Sequence, residues 1–250
     1  MRITGFILIL LLAGSVHGQT YKVFKGDTIN RIDAKGKKQG LWRKYYQTDS
    51  LFSEGHFKDD KRVGIFRTYH KNGVLQSTLK FRGASEISDV EMFNDSGAIM
   101  ARGKYIGNQK DSLWILYDSK GNKLAEEFYK KGSKEGVWKL FYDNGKESRI
   151  IHYRNDRKNG PFQEFFETGN PKVDGIMLND DFKGRVRVYH PNGKVWQSGN
   201  YVNGVKEGTW EIFKEDGSKE TEEIYKSGVL KSVPKTEEGS KRLDEPKVEE

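Results

Sequence analysis

The chain contains no cysteine, so it can form no disulfide, no thiolate metal site and no cysteine nucleophile. No His-Glu-x-x-His, nucleophile elbow or phosphate-binding loop occurs. Helix signals are missing as well, with no apolar positions at a 3.6-residue spacing and no caps. The longest apolar run, Phe6 to Ala13, falls far short of the roughly 20 residues that span a bilayer. Hydrophobic residues make up only 34% of the chain, which suits a thin sheet better than a globule. A chain with this composition must be held together by packing alone.

What the chain has instead is a repeat, the first thing to look for in any sequence. Stepping by 24 residues gives Trp42, Phe66, Val90, Trp114, Trp138, Phe162, Val186 and Trp210. Three residues beyond each lies an aromatic, from Tyr45 to Phe213, and fifteen beyond lies Phe57, Phe81, Tyr105, Tyr129, Tyr153, Met177, Tyr201 or Tyr225. Two residues before each, six of the eight positions are glycine and two, Ser88 and Ser112, are serine. No insertion breaks the register.

Each unit reads as two short strands rich in aromatic and β-branched residues. They are joined by an Asn-Gly-type turn such as Asn144-Gly145, the best short-range hairpin marker. A looser turn such as Gly204-Val205-Lys206-Glu207-Gly208 leads to the next unit. The fold expected is all-β, an elongated antiparallel β-hairpin repeat sheet or solenoid of eight 24-residue units, on the order of 75 Å long at the usual strand spacing. Trp42, Phe66, Trp114, Trp138, Phe162 and Trp210 are its structural residues. A symmetric first turn would set each reference residue across from the residue thirteen later, and the late aromatic across from the glycine that starts the unit. Where the facing residue is Gly55, Gly103, Gly175 or Gly199, the ring would lie over its own hairpin's glycine and cover bare backbone.

Around the repeats (40–230) the chain divides simply. Residues 1–18 read as a signal peptide, with Arg2, the apolar run and small residues before a cleavage site at Gly18-Gln19. Residues 19–39 form an N-terminal lead-in and capping segment. Residues 231–250 lose the pattern and read as a disordered, charged tail. The protein is therefore expected to be exported, periplasmic or extracellular, with association at the cell surface an option.

The formal charge is +8. Lys38, Arg62, Lys110, Lys134, Lys158 and Lys206 recur at the inter-unit turn, where stacking would make a basic edge. Such an edge either discourages sheet aggregation or steers an anionic partner. Export argues against nucleic acid. A second row lies four residues past the reference position and includes Tyr46, His70, Tyr142, Phe166 and His190. Its mix of aromatic and polar groups suits a binding face for peptide or glycan, or completes the packing beside the neighbouring aromatics. The four histidines outside the leader, His56, His70, His152 and His190, pair up only by repeat position, four or five units apart, so they cannot share a proton or a metal. No converging catalytic set is present, and the expectation is a non-enzyme with no cofactor and no metal.

The pattern Gly-x-Trp-x-x-Tyr-x-x-x-Gly, followed by an aromatic and a Gly-x-Lys-x-Gly turn, resembles the MORN repeat variant of YwqK-type antitoxin proteins. The resemblance covers roughly residues 28–229. Only Ala84-Ser85-Glu86-Ile87-Ser88-Asp89-Val90 departs clearly from it, which makes the third unit the expected weak point. The family implies a scaffold or an antitoxin- or immunity-like binder of another protein, although an exported antitoxin would meet its toxin outside the cytoplasm. The other reading is a peripheral module for membrane lipid or envelope glycan. The partner's identity and the oligomeric state are open at the level of sequence.

Overall fold

The computed structural model describes residues 18–24 and 26–234. The expected leader, apart from Gly18, and the tail from residue 235 lie outside the described residues. Gly18 and Gln19 are exposed, just before the first strand. Every regular element among the described residues is a β-strand, twenty in all. The fold is all-β, built of antiparallel hairpin repeats. The strands fall into two compact regions, one through Glu86 and one from Ile87 onward. The division lies in the segment where the third unit leaves the repeat pattern.

The first region holds β1 (Thr20–Phe24), β2 (Asp27–Ile32), β3 (Lys38–Tyr45), β4 (Leu51–Lys58), β5 (Lys61–Tyr69) and β6 (Leu75–Phe81). Each strand pairs antiparallel with the next. The lead-in segment supplies β1 and β2. It caps the first repeat through Asn30, whose side chain accepts from the Arg43 amide at 2.8 Å and donates to the Arg43 carbonyl at 3.0 Å. Asn30 thereby extends the pairing of β2 with β3 beyond the short ladder of Arg31–Gln39 and Ile32–Lys38.

The second region holds β7 (Ile87–Phe93), β8 (Ile99–Ile106), β9 (Gln109–Tyr117), β10 (Lys123–Lys130), the two-residue β11 (Ser133–Lys134) and β12 (Gly136–Phe141). It continues through β13 (Glu147–Arg154), β14 (Arg157–Phe165), β15 (Pro171–Leu178), β16 (Asp181–Tyr189), β17 (Val195–Val202), β18 (Val205–Phe213), β19 (Lys219–Lys226) and β20 (Val229–Ser232). Within the region these also form a meander of consecutive antiparallel pairs. The two regions together contain eight repeat hairpins, one per sequence unit.

The cross-hairpin register is the one the spacing predicts. Trp42 faces Gly55, Phe66 Leu79, Val90 Gly103, Trp114 Glu127, Trp138 Ile151, Phe162 Gly175, Val186 Gly199 and Trp210 Glu223. The late aromatics face the unit's first glycine in the same way, as in Gly40–Phe57 and Gly208–Tyr225. The turn types are reversed from expectation. The inter-unit turns are the tight ones: Asn155 and Asp156 have φ of 49° and 68°, and Asn179 and Asp180 53° and 79°. Positive φ at both central residues is the mirror-image two-residue turn that matches strand twist. The Asn-Gly turns are longer, closed by Tyr142 N–H to the Lys146 carbonyl at 2.8 Å and by Gly145 N–H to the Tyr142 carbonyl at 2.9 Å.

The aromatic packing is also corrected. Each glycine is covered by the reference residue of the following unit, eleven residues on, rather than by its own hairpin partner. A Cβ at Gly55 would sit 2.4 Å from the Phe66 ring, at Gly103 2.2 Å from Trp114, at Gly175 2.9 Å from Val186 and at Gly199 2.4 Å from Trp210. The cause is a bulge where successive units pair: Arg102 faces Ile115 and Lys104 faces Asp111, so Gly103 alone stands against Ser112, Leu113 and Trp114. A bulge increases local twist and re-aims the side chain it carries. It also presents a carbonyl to the ring, and the indole N–H donates to it, at Phe128 alongside the Glu135 amide. Trp114 donates to the Lys104 carbonyl at 3.1 Å, Trp138 to Phe128 at 2.9 Å and Trp210 to Asn200 at 3.2 Å.

Candidate binding surface

The ring face of the sheet is closed by its own lysines. Lys110 Nζ lies 4.6 Å from the Trp114 ring centroid and 4.8 Å from that of Tyr129. Lys134 sits over Trp138 and Tyr153, Lys206 over Trp210 and Tyr225, and Lys38 over Trp42 and Phe57. Cation–π attraction and a buried alkyl stem both favour this placement. These four lysines thus fold onto the rings instead of standing free at an edge. Arg62 remains exposed with its guanidinium 5.5 Å from Phe66, and the Lys158 amide donates to Asp180 at 2.9 Å. Burial of Lys206 pushes its ammonium pKa down.

The row four residues past the reference position sits at the start of each longer turn, and its polar atoms tie successive hairpins together. Tyr46 donates to the Tyr69 carbonyl at 2.7 Å and Tyr142 to the Phe165 carbonyl at 2.6 Å. His190 Nε2 lies 2.9 Å from the Phe213 carbonyl. Phe166 is half-buried under Lys172, and His70 bonds through its backbone at its own turn. This geometry accounts for the row as a strap between turns.

The opposite face looks different. In the second region, residues that alternate with the buried tryptophans line up across three hairpins: Leu113 beside Phe128, Val137 beside His152, and Pro161 beside Ile176. Leu113 is 45% exposed, Phe128 39%, Val137 40% and Ile176 56%. Charged pairs flank them, Lys123–Glu126 at 2.6 Å, Lys139–Glu147 at 2.7 Å and Arg187–Asp174 at 3.5 Å. An apolar stripe bordered by satisfied charges has the anatomy of an interaction surface, with an apolar centre and a polar rim. Reading from the sequence missed this stripe. Its signal was the apolar residue just before Trp114, Trp138 and Phe162, which alternation places on the far face.

Four segments of the chain, residues 38–59, 62–82, 134–155 and 183–203, match the MORN repeat variant. Each covers most of one repeat hairpin: β3–β4, β5–β6, β12–β13 and β16–β17. No curated protein matches. Among solved structures, Staphylococcus aureus TarM, in a mutant complex with fondaparinux, alpha-GlcNAc-glycerol and UDP, is 13% identical with a TM-score of 0.29. That match covers 38% of this chain and 19% of TarM. A second TarM structure is 14% identical with a TM-score of 0.28, over 40% of this chain and 20% of TarM. The chain thus spans about a fifth of the TarM length in either match. MORN-variant units in a hairpin meander are the architecture of a repeat-based binding module.

Proposed function

We propose that the chain is a non-enzymatic, exported binding module that presents the Leu113–Ile176 stripe to a protein partner, as a scaffold or in the manner of an immunity protein. The observation that carries this reading is the row of exposed apolar side chains, Leu113, Phe128, Val137 and Ile176, on the face opposite the tryptophans, rimmed by ion pairs. The competing reading, a basic edge that engages anionic lipid, is disfavoured because Lys38, Lys110, Lys134 and Lys206 lie over rings of their own sheet. A salt titration separates the two, since exposed charge attraction fades as the screening length falls to several ångströms.

The test is capture from envelope extract by the wild-type chain and by a Val137→Glu, Ile176→Lys variant, each at low and moderate salt. A discrete protein held by the wild type at moderate salt and lost from the variant is the expected result. Equal retention by both chains, or retention that disappears with salt, would remove the stripe as the interface. The thermal midpoint of the variant should match wild type, because both side chains are exposed.

A further inference from the structure

Successive tight turns are zipped to one another along one edge of the second region. Asp156 N–H donates to the Lys134 carbonyl at 3.0 Å, and the Lys134 amide donates back to Asp156 Oδ1 at 2.8 Å. Asp180 and Lys158 repeat both bonds at 3.0 and 2.9 Å. Gly132 reaches the Lys110 carbonyl at 2.8 Å and Gly228 that of Lys206 at 3.0 Å. The equivalent pair between these is Gly204 and Phe182, and no hydrogen bond joins them. The zipper is open at this one step between Lys110 and Gly228.

A cleft of about 700 Å³ occupies the gap, lined by Asp181, Phe182, Tyr201, Asn203, Gly204 and Glu207 among others. That volume lies within the ordinary range for small-ligand sites. The sequence explains why the gap forms here. In this unit the reference residue is Val186, the late aromatic of the unit before is Met177, and the usual lysine is Phe182. Phe182 turns inward to replace the missing rings, packing 5.5 Å from both Phe162 and Tyr201. Gly204 stands where Asp156 and Asp180 stand in their turns, so no carboxylate meets the Phe182 amide, and unlike Gly132 and Gly228 it does not make the backbone bond either. Tyr201 is released too. Tyr129 and Tyr225 donate to Glu127 and Glu223 two residues earlier, at 2.9 and 2.8 Å, but the matching residue before Tyr201 is Gly199.

The cleft therefore gathers donors (the Phe182 and Gly204 amides and the Tyr201 hydroxyl) and acceptors (the Phe182 carbonyl and the Asp181 carboxylate) beside two ring faces. An anion would meet Asp181 and Glu207, both in the lining. A cation would leave the amides unanswered and would face Lys183. A hydroxyl donates and accepts on one atom, and a sugar ring also offers an apolar C–H face to an aromatic one. We infer that this cleft binds a neutral hexopyranose unit of a glycan. The site is separate from the proposed protein-binding stripe, so either can fail alone.

The test uses the isotope-labelled full chain and backbone amide spectra, with chitotriose, cellotriose and maltotriose each added to about 10 mM, enough to saturate a site with a Kd of about 1 mM. Inorganic phosphate and n-butylammonium serve as charged controls. At least one saccharide should move the Phe182, Tyr201 and Gly204 amides saturably. A sealed variant, Asp181→Ser with Gly204→Asp, copies the side-chain hydrogen bond between Ser133 and Asp156 of the same chain and should bind at least tenfold more weakly at an unchanged thermal midpoint. Tyr201→Phe, which keeps the ring, should weaken binding several-fold. The inference is overturned if no saccharide moves these amides, if a charged control moves them and no saccharide does, or if Tyr201→Phe and the sealed variant bind like wild type. If the sealed variant does not fold, the Tyr201→Phe result decides alone.

Discussion

The two regions use the same repeat and bury it to different depths. In the second, Trp114 and Trp210 are fully buried and Trp138 nearly so. In the first, Trp42 and Phe66 are only half-buried and border a cleft of about 320 Å³. For the two tryptophans Trp42 and Trp114 the difference lies in what precedes each ring. Trp114 has Gly103 beneath it and the bulge carbonyl of Lys104 within reach of its indole. Trp42 is the first reference residue and has the lead-in strand before it instead of a repeat hairpin, so its indole N–H donates to the nearby Gln39 carbonyl at 3.2 Å. Trp42 thus lacks the preceding repeat that closes over Trp114, the nearest-neighbour behaviour of stacked units, whereas Phe66 stays half-buried with a repeat before it and Gly55 beneath it.

The sharpest way to break this comparison is to truncate equivalent rings. Trp114→Ala should destabilise by about 3–5 kcal/mol, as large-to-small changes in a closed core do. Trp42→Ala should cost only about 1–2 kcal/mol, since its ring is only partly buried and loses less apolar contact. Urea unfolding followed by circular dichroism gives both numbers, and equal losses would end the distinction. Next come the glycines beneath the rings. Gly103→Ala forces the buried Trp114 ring to move and should cost about 1–3 kcal/mol. Gly55→Ala makes as close an approach to Phe66, but that ring can swing into the adjoining cleft, so its loss should be clearly smaller. A Gly55→Ala effect as large as that of Gly103→Ala would mean the first region is as tightly closed as the second.

The turn straps should not distinguish the regions. Tyr46→Phe and Tyr142→Phe each remove one hydroxyl bond to a carbonyl of the next hairpin, and each should cost about 1 kcal/mol. A marked inequality between them would show that the difference between regions extends beyond the core row. The smallest effect is acid sensitivity. Asp33 in the first region and Asp156 in the second are held below their ordinary pKa of 3.8, chiefly by the amides of Lys37 and Lys134 respectively. A depressed carboxylate contributes stability that is complete above the unfolded value and is lost as pH falls through the folded one. The stability gap between wild type and Asp33→Asn or Asp156→Asn should therefore close on acidification in both regions. A gap that persists unchanged to about pH 2, below the ordinary carboxylate range, would assign the effect to something other than ionisation.

Much of this was legible in the chain before any coordinates. An uninterrupted 24-residue period fixes which residues can share a face, because alternation in a strand leaves no other choice. Hence the all-β class, the eight hairpins and the register pairing Trp138 with Ile151 follow from spacing alone. The departure from the pattern at Ala84-Ser85-Glu86 was equally readable from the loss of the glycines, and the division between the two regions falls there.

Three things were decided only by the tertiary structure. Which ring covers which glycine depends on the bulge between units, and a bulge is a difference in residue count between paired strands that neither strand shows by itself. Which turn is tight depends on φ at Asn155 and Asp156, and Asn and Asp accept several turn conformations. The cleft at Phe182 and Gly204 needs both partners of a missing bond to be identified, 22 residues apart in sequence. The period specifies what one unit is. Contacts between units, where small local departures such as Val186 and Phe182 are absorbed or exposed, decide what the surface can bind.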